Sequence, residues 1–95
     1  MHNMLFGCFV DAALNVFVAN CGSRRVTRIT SGLQHHIYHS EEPWIPVAFA
    51  SRAGRSYVME CGFIEGVGDI GPRIVELIGG EGRVVVDVDQ YLRDR

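Results

Sequence analysis

An α+β fold, an antiparallel sheet with two helices packed on one face, is what this 95-residue chain predicts. Three observations point there. Several runs between residues 24 and 64 are rich in alternating and β-branched residues, which mark strands. Two segments, 12–21 and 73–78, are bracketed by residues that start and stop helices. Hydrophobic residues make up 47% of the chain and charged ones 21%, which is too apolar for disorder and enough for the core of one domain over residues 1–95.

The elements follow in order. Residues 4–10 form an apolar block with Phe6, Phe9 and Val10, consistent with a buried strand. Asp11 can cap a helix over 12–21 that Gly22 would stop; the strand propensity of Val16, Phe17 and Val18 leaves open a hairpin turning at Asn20-Cys21-Gly22-Ser23. Residues 24–31 alternate, with Arg24, Val26, Arg28 and Thr30 on one side of a strand. Residues 35–40 read as another strand, and Pro43-Trp44-Ile45-Pro46 as a stiff extended link. Strands over 45–51 and 56–64 flank Arg52-Ala53-Gly54-Arg55, the clearest hairpin signal in the chain. Asp69 as cap, Pro72 in the first turn and Gly79-Gly80 as stop predict a short second helix. A strand over 83–88 follows, with Asp89 placed to cap a last turn through Tyr91 and Leu92. This element order resembles a ferredoxin-like sandwich with an inserted hairpin; a mostly-β roll with one helix is the alternative.

Gly66-Val67-Gly68-Asp69-Ile70-Gly71 spells G-x-G-x-x-G, with acidic residues about 20 positions on, the letters of a dinucleotide-binding turn. That fold needs further βα units on both sides of the glycines, and the chain does not offer them. The glycines read as turn punctuation. Gly66-Val67-Gly68 with Ile74, Val75 and Ile78 also resembles, in part, a helix-hairpin-helix DNA-binding module. Pro72 stands where that pattern expects a small residue, and the stretch before the glycines favours strand.

Every basic side chain is arginine, which by itself carries no binding conclusion; the net charge of −2 argues against a dedicated nucleic-acid binder. The charge is uneven: residues 1–57 carry +2 and residues 58–95 carry −4. Cys8, Cys21 and Cys61 show no C-x-x-C spacing, so neither a disulfide framework nor a zinc knuckle is indicated, and reduced cytoplasmic thiols fit. The apolar run over 4–19 lacks a basic leader and is interrupted by Asp11 and Asn15, so it reads as core.

Three of the four histidines, His35, His36 and His39, lie beside Glu41 and Glu42. On a helix His35 and His39 would share a face; on a strand they are roughly 13 Å apart at about 3.3 Å per residue, too far to share an ion. No metal or cofactor is therefore expected. Asp87 with Asp89, and Cys61 with a histidine, are the only candidates for acid–base or nucleophilic work, and neither spacing argues for it. Trp44, between two prolines and near His36 and Tyr38, suits a pocket rim or subunit contact.

These readings predict a small soluble non-enzymatic binding domain, a homodimer that takes a small molecule or a protein partner. Its expected site comprises His36, Tyr38, Trp44, Gly66 and Gly68. One alternative is a nucleic-acid binder using Arg24 and Arg28 with Tyr38 and His36 as stacking partners. The other is a small enzyme with His36, His39 or Asp87 as general base.

Overall fold

The computed structural model describes residues 5–87, with side chains described from Gly7 onward. All eight elements are strands: β1 Leu5–Val10, β2 Val16–Asn20, β3 Arg25–Thr30, β4 Leu33–His39, β5 Trp44–Arg52, β6 Arg55–Ile64, β7 Gly68–Ile78 and β8 Glu81–Asp87. They form two antiparallel four-stranded sheets, each with its strands in chain order, β1 to β4 and β5 to β8. Both predicted helices are absent from the described residues, so the α+β expectation and its ferredoxin-like arrangement are corrected to an all-β fold. The alternative roll was nearer, but its single helix is also missing. The turn expected after Asp89 lies outside the described residues.

Helix signals failed because the same residues also make turns. The Asp11 carboxylate does accept backbone N–H bonds, from Ala13 at 3.0 Å and Asn15 at 2.9 Å, as a cap would. Leu14 then takes a left-handed φ of 65°, which ends any helix and returns the chain as β2. Val16, Phe17 and Val18 pair with Val10, Phe9 and Cys8 on one side and with Ile29, Arg28 and Thr27 on the other, so the strand reading of this segment, with its hairpin turn at Asn20-Cys21-Gly22-Ser23, is the one realised. Asn20 closes the next turn by accepting from the Ser23 N–H at 3.0 Å.

The second predicted helix lies within the eleven-residue strand β7, whose Ile74, Val75 and Ile78 suit a pleated surface. Proline inside a central strand needs a special position, and β7 supplies one. Pairing steps from Gly62↔Ile70 to Glu60↔Arg73, so Gly71 and Pro72 together face Cys61 at a bulge. The missing N–H of Pro72 falls where the ladder is already interrupted. The β5–β6 turn forms as expected, with Arg52 opposite Arg55 and the left-handed pair Ala53 and Gly54 between them.

The sheets meet through three phenylalanines. Phe17 on β2 and Phe49 on β5 stack at 4.3 Å, and Phe9 on β1 sits 6.3 Å and 5.9 Å from them. Val26 and Val58, both fully buried, extend this core, with Ile37, Tyr38 and Leu77 packed at its side. Beyond β5, which carries most of the contact with the first sheet, β6 and β7 still face inward but bury a carboxylate instead of a hydrocarbon. Among the described residues, no helix is long and apolar enough to cross a membrane.

Candidate functional site

Alternation along β6 points Val58 and Glu60 to the same inner face. Both have no exposure, so a charged side chain is held in the interior. Such a group survives only with partners. Arg73, directly opposite in the β6–β7 register, gives its Nε–H to Glu60 Oε1 at 2.8 Å. Tyr38 crosses from β4 in the other sheet and donates its hydroxyl to Glu60 Oε2 at 3.0 Å. The Arg73 guanidinium also lies 3.9 Å above the Trp44 ring, a desolvated cation–π contact.

Two glycines make room for this cluster. A Cβ on Gly71, which has a φ of +92°, would come within 3.0 Å of both the Glu60 carbonyl oxygen and the Trp44 ring. A Cβ on Gly82 would stand 2.8 Å from the Tyr38 ring and 2.5 Å from Val75. The glycines let β7 and β8 approach the two aromatic side chains.

The cluster forms one wall of a cleft of about 440 Å³. Tyr38, His39 and Glu41 line it from β4 and the loop that follows; Arg73, Glu81 and the flanking glycines line it from β7 and β8. Burial, reinforced by the charge and hydrogen bond of Glu60, pushes the Tyr38 hydroxyl up to about 12 against a partial opposing effect of Arg73. An acid held neutral by the fold adds stability that is complete below its unfolded value near 10. That contribution is lost as pH rises through about 12. Unfolding midpoints measured in urea should therefore hold steady to about pH 10 and then fall, and Tyr38→Phe should flatten the fall. An equally steep fall in the variant would assign the alkaline loss to another group.

Of the five expected site residues, the structure brings together Tyr38 and Trp44, each in contact with the Glu60–Arg73 pair. His36 lies on the outer face of its sheet, its Nδ1 3.0 Å from the Thr27 hydroxyl. Gly66 adjoins Val67 at the open tip of the β6–β7 hairpin, and Gly68 begins β7; a Cβ on either would meet nothing within 4 Å. They carry no helix N-terminus, so the glycine turn offers no phosphate cradle of the dinucleotide kind. The expected grouping of Arg24, Arg28, Tyr38 and His36 on one surface does not form. Arg24 sits in the β2–β3 turn, its Nη1 donating to the Trp44 carbonyl at 2.8 Å. Arg28 shares the face of β3 that buries Val26, and its Nε is buried. Burial and the charge of Asp69 push the Cys61 thiol up, away from nucleophile chemistry. Among the described residues, no three metal-binding side chains converge.

Sequence reasoning missed Glu60, Arg73 and Gly82. Glu60 had a visible signal, a lone carboxylate two residues from Val58 in a strand read correctly from its alternation. Comparison with protein-family models, with curated proteins and with solved structures finds no match to this chain.

Proposed function

We propose that the protein is a non-enzymatic binding module whose inter-sheet cleft takes a small polar organic molecule bearing a cationic group. The observation that carries this reading is the charge balance of the cleft. Its base, Arg73, is neutralised by the buried Glu60, whereas Glu41 and Glu81 have no ion-pair partner among the described residues. The Tyr38 hydroxyl, the His39 ring and backbone groups at the glycines add orienting polar contacts, and the volume suits a small ligand. In this reading Tyr38 contacts the ligand, while Trp44, which stacks on Arg73 outside the cleft lining, and Glu60 hold the Arg73 side of the wall rigid. A cytoplasmic setting belongs to this reading, supported by the free thiols Cys8, Cys21 and Cys61.

The test is native mass spectrometry of gently purified protein, followed by thermal melts with a panel of small organic amines. A ligand at about 100 times its Kd adds about 2.7 kcal/mol to the folded state, readily seen in a melt. Retained mass, or one amine that raises the melting temperature, supports the reading when Glu41→Lys with Glu81→Lys abolishes the effect. Protein that carries no extra mass and responds to no amine overturns it.

A further inference from the structure

The sheet β5 to β8 turns one face toward the first sheet and leaves the other open. Val58, Glu60 and Val75 point inward and are buried, so alternation puts Tyr57, Met59, Ile74 and Glu76 on the outer face. Register extends that face sideways: Ala50, Tyr57, Glu76 and Arg83 form one row across the four strands, and Ala48, Met59, Ile74 and Val86 form the next. Arg52 and Arg55 end the face, directly opposite each other beside the hairpin turn, where like charges repel. One carboxylate lies among these arginines. Glu76 Oε1 accepts from Arg83 Nη2 at 2.9 Å, and its Oε2 is 3.9 Å from Arg55 Nε. Glu81, at the start of β8, lines the inter-sheet cleft instead. Arg52 has no acidic partner among the described residues, and the Arg55 and Arg83 side chains stay 71% and 67% exposed, so most of their donors still face solvent. Beside the arginines the apolar rows form a shallow hollow of about 110 Å³, with Ala48, Ala50, Tyr57, Met59 and Ile74 in its lining.

We propose that this face binds a single-stranded nucleic acid, with a base laid on Tyr57 in the hollow and neighbouring phosphates on Arg52, Arg55 and Arg83. The juxtaposition selects this occupant. Arginines in excess of their carboxylate favour a polyanion, and an apolar hollow with an aromatic wall favours a flat ring. A nucleotide supplies both in one repeat, whereas an acidic peptide supplies the charge alone. The hollow is open and shallow, which suits a strand laid along the sheet better than an isolated small molecule, whose sites enclose most of its surface. A duplex keeps its base faces stacked away from Tyr57. Arg55 is hydrogen-bonded to the Tyr57 side chain, which sets a cation beside the ring. The net charge of −2 belongs to the whole chain; at this end of the face, three arginines against Glu76 leave +2. This surface is separate from the one expected around Arg24 and Arg28, which lie on the other sheet and its turn.

Fluorescence anisotropy of the full chain with a labelled oligothymidine of about 12 nucleotides tests the assignment. The expected result is binding at about 20 mM salt that weakens as salt is added, with a log–log slope of about −2, the value for three phosphates of a single strand. Tyr57→Leu should weaken binding about tenfold or more and leave the slope unchanged. Arg52→Glu should weaken binding and make the slope shallower by about 0.7 or more. The same substitution removes the repulsion of Arg55, so urea unfolding should show a fold at least as stable as wild type. A merely structural role for Arg52 would lower stability and binding together. Absence of binding at low salt overturns the proposal. So does equal affinity for a duplex or for poly-glutamate of matched charge, and so does a Tyr57→Leu or Arg52→Glu protein that binds like wild type. Tyr38→Phe, in the cleft, should leave this binding unchanged, so this proposal and the ligand reading fail separately.

Discussion

Replacing Glu60 with alanine should cost about 3–5 kcal/mol of folding stability, the range found when one partner of a buried ion pair is removed. The loss has two parts. Arg73, whose side chain is only 19% exposed, would keep its charge without the carboxylate that offsets its burial. The Tyr38 hydroxyl would lose its acceptor in the same step. For a domain of this size each kcal/mol is worth about 4–8 °C of melting temperature, so the fall should be on the order of 15 °C or more. Glu60→Gln, which keeps an acceptor but not the charge, should fall between wild type and alanine. Glu60→Leu with Arg73→Met should recover much of the loss, because matched hydrocarbons avoid the cost of taking both charges out of water. Urea unfolding of the four proteins measures all of this. If Glu60→Ala costs less than about 1 kcal/mol, the pair is solvated in solution and the cleft wall is not the rigid one described.

The same pair shows where sequence reading reached and where it stopped. Strands β3 to β6 and the Arg52–Arg55 turn were legible because alternation and a glycine turn are local signals. Residues 12–21 and 73–78 were misread because a capping aspartate, a proline and paired glycines serve turns as readily as helix ends. Cross-strand pairing decided between them, and pairing depends on residues far away in the chain. Arg73 was hidden for that reason: placed on a helix, it has no fixed relation to Glu60, whereas on β7 it faces it directly. Trp44 and Tyr38 were found as amphipathic side chains near prolines and histidines, although nothing in the sequence joins them to a carboxylate 16 or 22 residues on. Gly66 and Gly68 were correctly read as a turn, but one at the far end of the hairpin from Arg73.

Phe49→Ala should destabilise the fold by about 3–5 kcal/mol, the usual cost of deleting a buried phenylalanine. The position matters more here than in a larger domain. Among the described residues the fully enclosed apolar core is small, and Phe49 is the side chain through which β5 reaches both Phe9 and Phe17 of the other sheet. Total stability of about 5–15 kcal/mol leaves little to absorb such a loss. Phe17→Ala should cost a similar amount. The two should not add, because their rings stack at 4.3 Å with planes 17° apart. A double-mutant cycle should return a coupling of about 0.5–1.5 kcal/mol, the size of an aromatic pair beyond its buried area. Calorimetry or urea unfolding of the single and double variants reads both quantities. Strict additivity would mean that the rings do not touch in solution. Together with the Glu60 series, the cycle separates two ways of joining the sheets: a hydrocarbon seal at β1, β2 and β5, and a polar tie from Tyr38 to Glu60 beside the cleft. Loss of the seal should weaken the whole domain cooperatively. Loss of the tie should also change ligand capture, because Tyr38 and Arg73 line the cleft and the seal residues do not.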